Sequence, residues 1–229
     1  FAIAIYSSLC YNFSMKKIID LKFYFITALG LLTISAFFYF FVKLLEGEPN
    51  LIGGPIDNYI PFLPIFIIIY NLWYPFNILA LYYIFKDNIS IYIKTIISLI
   101  FCYIISNSIF ILYPTTVNRP VIESYNNIIE YITYMTFKID TPATRCFPSN
   151  HCILCFIIIF SVLGIKNMSK WKKGIIIAIN TLIILSTLFV KQHVVYDVIG
   201  SLIITLTCFY ILSKFKFFKY LEKKLVSVS

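Results

Sequence analysis

The sequence predicts an all-α integral membrane protein, a six-transmembrane-helix bundle with the N- and C-termini in the cytoplasm. Three observations support this fold class. Hydrophobic residues make up 60% of the 229-residue chain, and its mean hydropathy of +0.88 is far above that of a soluble domain. Six apolar stretches are long enough to cross a bilayer, and the basic residues are distributed unevenly among the segments that join them.

The domain organisation predicted from the sequence is simple. Residues 15–229 form a single membrane domain, whereas residues 1–14 precede Met15 and two lysines, which resemble an ordinary cytoplasmic start. We therefore expect residues 1–14 to be an unstructured extension. The apolar run that follows is too long for the hydrophobic part of a signal peptide and lacks a small-residue cleavage site, so it is predicted to be a retained span.

The predicted spans follow from the lengths of the apolar runs, since a helix needs about 20 apolar residues to cross the hydrocarbon core. Pro75 falls inside the second span and is expected to kink it. The count is even, so both termini lie on the same side. The spans cover about residues 21–45, 59–85, 89–113, 148–165, 174–190 and 194–212.

Orientation follows from the lysines and arginines, which are enriched in cytoplasmic loops of membrane proteins. With the N-terminus inside, the inner segments hold fourteen of the 19 basic residues. The outer segments hold the other five together with seven acidic residues. The clustering of lysines beside apolar runs is typical of topology signals and argues against nucleic-acid binding.

One long connection, residues 114–147, lies on the predicted outer side. Within it Ile122, Tyr125, Ile129 and Ile132 recur at helical spacing, which predicts a helix over residues 121–137 in the membrane interface. The six cysteines lie mostly in or beside apolar runs without paired metal spacing and are predicted to be small core residues. Cys152 and Cys155 form a Cys-x-x-Cys sequence, but inside a predicted membrane helix, which does not favour redox chemistry.

The chain has two histidines, His151 and His193, and each lies where a polar segment meets an apolar run. The 42 steps of chain from His151 to His193 are enough to cross the membrane and return, so both are predicted at the outer boundary. Asp197 follows His193 by four residues and on a helix shares its face, where it can accept a hydrogen bond from the imidazole. The other ring nitrogen then becomes a base or nucleophile. The alternative is a solvated helix-start carboxylate beside an interfacial ring.

Around His151 the sequence predicts an anion site. Pro148 suits a first helical turn, and the free amides near Ser149 and Asn150 then point outward. Arg145 and Arg119 are candidates for bidentate phosphate contacts. The alternative for both arginines is ordinary contact with lipid headgroups.

These residues resemble the type 2 phosphatidic acid phosphatase superfamily, whose pattern is Lys-x6-Arg-Pro, Pro-Ser-Gly-His and Ser-Arg-x5-His-x3-Asp. Arg119-Pro120 matches the end of the first block, residues 148–151 match the second, and His193 with Asp197 matches the end of the third. The resemblance covers about residues 60–212.

The pattern is incomplete in this chain. Leu112 stands where the family has lysine, Asn150 replaces glycine, and Thr187 replaces the arginine of the third block. Lys191 or Arg145 is a candidate substitute for the missing cations, although Lys191 is also placed like a snorkelling helix-end residue. The looser pattern is similar to the branch of inositol phosphorylceramide and sphingomyelin synthases.

The resemblance implies an enzyme that acts on a membrane lipid phosphate. His193 forms a phosphohistidine, Asp197 orients it, and His151 protonates the leaving alcohol and then activates the acceptor. Arg119, Arg145, Lys191 and the amides near Ser149 and Asn150 bind the phosphate. No metal or other cofactor is implied.

Three functions stay open at this point. The first is a lipid phosphate phosphatase, the second a lipid phosphotransferase with a lipid or polyol acceptor. The third is a non-catalytic carrier, for which Ser106, Asn107 and Ser108 in the third span are the candidate residues. The composition suggests an AT-rich, bacterial genome and hence the plasma membrane, with the active site on the extracytoplasmic side. The acceptor, the lipid and the oligomeric state are not predicted.

Overall fold

A computed structural model describes residues 47–122 and 124–214 of the chain, together with Lys22, Tyr24, Ile26, Thr27, Gly30, Phe41, Val42, Leu44 and Leu45, apart from the side chain of Ser213. The predicted extension at residues 1–14 lies outside the described residues. So does most of the predicted first span, residues 21–45.

The described part of the chain is mostly helical. A two-residue strand, β1 (Asn50–Leu51), pairs in parallel with β2 (Thr115–Thr116), and short 3-10 helices cover Pro55–Asn58 and Pro64–Phe66. The α-helices are α1 (Ile67–Asn71), α2 (Trp73–Asp87), α3 (Ile89–Leu112), α4 (Ile128–Ile139), α5 (Asn150–Gly164), α6 (Lys170–Phe189) and α7 (Val195–Lys214).

Four helices in the described part are long and apolar enough to cross a membrane: Pro64–Asp87, α3, α6 and Val195–Leu212. Helix α5 is apolar too but has only 15 residues, which at 1.5 Å per residue is about 22 Å. The predicted six-span count therefore stays a prediction, although the runs predicted at residues 59–85, 89–113, 148–165, 174–190 and 194–212 all contain helices.

Local sequence signals explain most of the helix ends. The Asn88 side chain accepts a hydrogen bond from the amide of Ile91 and begins α3, as expected of an N-cap residue. The second predicted span is interrupted at Leu72, three residues before Pro75. Proline has no amide hydrogen to donate to the carbonyl four residues earlier, so the break lies where the sequence predicts a kink.

Two predicted boundaries are wrong. The interfacial helix begins at Ile128 rather than at residue 121, because the Asn127 side chain caps the amide of Glu130 and starts a helix there. Pro148 is not in a first helical turn. Ser149 is the N-cap of α5 and accepts from the amide of Cys152, so the helix begins at Asn150.

Helix α5 lies at the centre of the bundle and packs against α2, α3, α6 and α7. Its core side chains Ile153, Ile157 and Ile158 are fully buried. A hydrogen bond of 2.7 Å joins Thr95 of α3 to Ser161. The five described cysteines are all buried and unpaired, as the sequence predicts for core residues.

The connections at the N-terminal end of α5 are tied together around Thr115. Its amide donates to the carbonyl of Thr144, and its carbonyl accepts from the amide of Cys146. Its hydroxyl accepts from the amide of Phe147 at 2.8 Å. These bonds fix the loop that leads from α4 into α5, and with it the position of Arg145.

Candidate active site

His193 lies in the short turn between α6 and α7. The amides of Gln192 and His193 both donate to the carbonyl of Thr187, at 3.0 and 3.1 Å. Two residues later α7 begins, and its first turn contains Asp197. The turn therefore places the imidazole directly over the N-terminal end of α7.

The Asp197 carboxylate holds the His193 ring. Its Oδ2 atom lies 3.0 Å from Nδ1 of His193 and accepts a second hydrogen bond, also 3.0 Å, from the amide of Val194. In its ionised form this carboxylate only accepts hydrogen bonds, so that Nδ1 of His193 is then the protonated nitrogen and Nε2 keeps its lone pair. Asp197 is completely buried and His193 is 6% exposed, so the pair is not a solvated helix start.

His151, the second residue of α5, faces this lone pair. Its Nδ1 atom lies 3.4 Å from Nε2 of His193. The His151 ring packs against Trp73 and Tyr70, with centroid separations of 4.2 and 4.9 Å. The two histidines, 42 residues apart in the sequence, thus meet, and the aromatic rings limit the movement of the His151 ring.

Both imidazoles line a cavity of about 500 Å³, which we call the histidine cavity. Aromatic rings, amide side chains and charged groups share its wall. The lining residues are Tyr70, Asn71, Trp73, Tyr74, Tyr103, Asn107, Phe110, Arg119, Thr136, Ile139, Asp140, Ala143, Arg145, Cys146, Asn150, His151 and His193. A mostly apolar wall with a few polar groups is typical of a small-molecule site.

Arg119 and Arg145 both line this cavity, as the anion-site prediction requires. The Arg119 guanidinium forms an ion pair with Asp140, 2.6 Å between Nη2 and Oδ2, and lies 5.5 Å from the centroid of the Phe137 ring. Its side chain is only 13% exposed, which differs from an arginine that anchors to lipid headgroups.

Ser149 and Asn150 take part in the site in different ways. The Ser149 hydroxyl caps α5 and its carbonyl accepts from Ser201 of α7 at 2.9 Å, so this residue joins the start of α5 to the second turn of α7. Asn150 lines the cavity, and its Oδ1 atom accepts from Ser106 at 2.7 Å. Asn107, one residue along α3, also lines the cavity. Ser108 is exposed and donates to the carbonyl of Ile104.

The structure places Lys191 away from the histidine cavity. Its Nζ atom donates to the carbonyls of Asp57 and Ile60, at 2.8 and 2.5 Å. The side chain lines a second, more open cavity of about 900 Å³ between residues 51–62, 118–120 and the start of α7. Arg119 contributes to the walls of both cavities.

Cys146 is the other potential nucleophile in the histidine cavity. Burial, with the Asp197 carboxylate nearby, raises the pKa of its thiol to about 12. A thiol with such a pKa is protonated at neutral pH and is a poor nucleophile. Cys152 and Cys155 are fully buried within α5 and do not line the cavity.

Several residues of this site were not predicted from the sequence. Trp73 and Tyr70 hold the His151 ring, Asp140 pairs with Arg119, and Asp57 binds the turn that carries His193. The aromatic cluster around the Pro75 kink was the available signal for Trp73. An acid or aromatic ring in a distant loop carries no comparable signal, because its partner depends on the folded chain.

Comparison with known proteins agrees with this geometry. A protein-family model described as the PAP2 superfamily matches residues 91–220. The match covers more than half of the chain and includes His151, His193 and Asp197. The chain belongs to the PAP2 superfamily. Comparison with curated proteins and with solved structures gave no significant match.

Membership of the PAP2 superfamily, whose members are generally phosphoesterases, indicates a phosphatase or phosphotransferase type of function. The long apolar helices agree with an integral membrane protein.

The two positions at which the family pattern has a basic residue and this chain does not, Leu112 and Thr187, lie in different surroundings. Leu112 ends α3 and is 82% exposed, whereas Thr187 is completely buried and holds the His193 turn. Among the described residues, the basic side chains on the cavity wall are Arg119 and Arg145.

Proposed function

We propose that this PAP2 superfamily protein is a lipid phosphate phosphatase that hydrolyses a phosphomonoester or pyrophosphate of a lipid. The observation that carries the proposal is the line of three groups from Asp197 through His193 to His151, with separations of 3.0 and 3.4 Å. A nucleophile held by an orienting carboxylate and faced by a proton donor is the arrangement that covalent phosphoryl transfer requires.

In the first step Nε2 of His193 attacks phosphorus and the bond from phosphorus to the ester oxygen breaks. Protonated His151 gives its Nδ1 proton to the leaving alkoxide, while Asp197 stabilises the positive charge on the His193 ring. In the second step neutral His151 removes a proton from water, which attacks phosphorus and breaks the phosphorus–nitrogen bond. Phosphate leaves and both histidines return to their starting states.

Arg119, Arg145 and the amides of Asn150 and His151 hold the phosphoryl oxygens as negative charge spreads over them. Because only 3.4 Å separates the two imidazole nitrogens, phosphorus reaches Nε2 only after the His151 ring turns aside. The rings of Trp73 and Tyr70 limit how far it turns.

The proposed setting is the outer face of the membrane. Six spans with both termini inside keep most basic residues in the cytoplasm, and His151 and His193 then lie on the extracytoplasmic side. The lipid enters sideways between helices and leaves its phosphate in the histidine cavity. Residues 15–229 form a single membrane domain in this proposal.

Purified protein in mixed-lipid vesicles tests the proposal. Free phosphate and new phospholipid species are measured together on phosphatidic acid and polyprenyl pyrophosphate, with diacylglycerol present as an acceptor and His193→Ala as the blank. Free phosphate that disappears in the blank supports the phosphatase. Phosphatidic acid formed from diacylglycerol and polyprenyl pyrophosphate without free phosphate would establish a transferase instead, and neither product would favour a carrier.

A further inference from the structure

We propose that Asp57 and Lys191 form a clamp that positions the nucleophile His193 from a loop far away in the sequence. The inference rests on the proposed function, because it takes His193 as the residue that attacks phosphorus. Neither residue of the clamp lines the histidine cavity. Both act through the backbone of the turn that carries His193.

Asp57 binds the C-terminal side of this turn. Its Oδ1 atom accepts a hydrogen bond of 2.9 Å from the amide of Val195, the first residue of α7. Its Oδ2 atom accepts from the amide of Gly54 at 2.7 Å, which orients the carboxylate. A negative charge on a free amide at a helix N-terminus is favourable, so Asp57 caps α7 from 138 residues earlier in the chain.

Lys191 binds the N-terminal side. Its ammonium group donates to the carbonyls of Asp57 and Ile60, so the same loop holds both ends of the turn. The backbone of Lys191 has a φ of 55°, the left-handed region that residues with a side chain rarely adopt. Such a conformation persists where surrounding contacts impose it, and the hydrogen bonds of the Lys191 ammonium group to Asp57 and Ile60 are contacts of this kind.

His193 lies between these two attachment points, two residues from each. The loop also packs closely on α7, since a Cβ atom at Gly54 would lie 3.1 Å from the Tyr196 ring. The clamp thus fixes the backbone on either side of the imidazole while Asp197 fixes the ring. A nucleophile displaced by about 1 Å loses on the order of a hundredfold in rate, so contacts that only hold backbone have a large effect on chemistry.

The test compares Asp57→Asn and Lys191→Met with Lys191→Arg, which keeps a cation able to donate. In Asp57→Asn the side-chain NH2 group faces the backbone amide of either Gly54 or Val195, both of which now donate to the carboxylate. Lys191→Met removes the ammonium group but keeps a side chain of similar length. The matched control is Lys172→Met, because Lys172 pairs with Asp87 at 2.9 Å near the other end of the bundle. Each variant is assayed in vesicles for kcat, KM and the rate of phosphohistidine formation per reactive molecule.

We expect kcat and the phosphohistidine rate to fall together by about ten- to a hundredfold in the two clamp variants. KM and the number of protein molecules that form phosphohistidine stay within about twofold of wild type. Lys191→Arg recovers most of the rate, and Lys172→Met has the same rate as wild type. A purely structural role would reduce the number of reactive molecules without changing the rate of each. Unchanged rates, or an equal loss in Lys172→Met, would overturn the clamp. Wild-type protein that forms no phosphohistidine would instead overturn the proposed function.

Discussion

Arg119 and Asp140 form an ion pair in the wall of the histidine cavity, with Nη2 of Arg119 at 2.6 Å from Oδ2 of Asp140. A second hydrogen bond, 3.2 Å long, joins Nη1 to the backbone carbonyl of Asp140. A phosphate that enters the cavity therefore shares Arg119 with a negative charge that is already present.

Replacing this carboxylate is expected to strengthen phosphate binding. In Asp140→Asn the backbone carbonyl still accepts from Arg119, while the negative charge is gone. The Asp140 side chain is 38% exposed, so solvent screens part of the repulsion between its carboxylate and phosphate. We expect the inhibition constant of inorganic phosphate to fall by about tenfold, or ~1.4 kcal/mol. The measurement is inhibition of turnover by phosphate. Weaker inhibition would mean that the carboxylate is needed to hold Arg119 in place.

Replacing His151 and replacing His193 are expected to block different steps of the reaction. With p-nitrophenyl phosphate, whose leaving group needs no proton, His151→Ala should release one equivalent of nitrophenol rapidly and then turn over slowly. His193→Ala should give no such burst. With a lipid phosphate both variants lose about a thousandfold or more, since proton transfer alone contributes roughly 10²–10⁴. Rapid-mixing absorbance measures the burst, and a burst in His193→Ala would contradict the assignment of the nucleophile.

Asp197→Asn is expected to lower kcat by about a hundredfold or more with little change in KM. The amide oxygen of Asn can take the place of Oδ2 and accept from both His193 and the Val194 amide, but it lacks the negative charge that stabilises a positively charged His193 ring. If the amide NH2 group faces the ring instead, Nδ1 becomes an acceptor and the lone pair of Nε2 is replaced by hydrogen. Steady-state kinetics on folded protein in vesicles checks this. Activity near the wild-type level would show that the carboxylate does not orient the ring.

Topology is open to a direct test because Asn118 and Asn167 are both exposed. Cysteine introduced at position 118 should react with an impermeant maleimide added outside sealed vesicles of native orientation. Cysteine at position 167 should react only after permeabilisation. The five native cysteines of the described residues are buried and serve as the background in unmodified protein. Reversed labelling would place the histidine cavity on the cytoplasmic side.

Long apolar runs with a local start signal were the part of the fold that could be predicted. The third span was predicted at residues 89–113, and α3 covers Ile89–Leu112, because a continuous apolar run follows directly after the Asn88 cap. The helix of the long connection was placed seven residues early. There the periodic residues Ile122 and Tyr125 suggested a helix, whereas Asn127 decides where one begins.

Some residues of the site could be predicted from the sequence in the same way, and others could not. The pairing of His193 with Asp197 could be predicted from their spacing of four residues, and the length of chain between His151 and His193 predicts that both lie at the same boundary. The family resemblance supplied the expectation that all three act together, and the structure brings them within hydrogen-bond distance of one another. The partner of Lys191 could not be predicted. Its ammonium has a long flexible stem and binds carbonyl oxygens of Asp57 and Ile60, and every residue offers such an oxygen, so no residue type marks the target.

The short length of helix α5 also affects the bilayer around it. At about 22 Å it is roughly 8 Å shorter than a typical hydrocarbon core of about 30 Å. If its C-terminal end stays at one interface, His151 at its other end lies below the level of the surrounding headgroups. A lipid must then sink, or the membrane must thin locally, before its phosphate reaches the imidazoles. Turnover should therefore rise in vesicles of short-chain lipids and fall as the acyl chains lengthen.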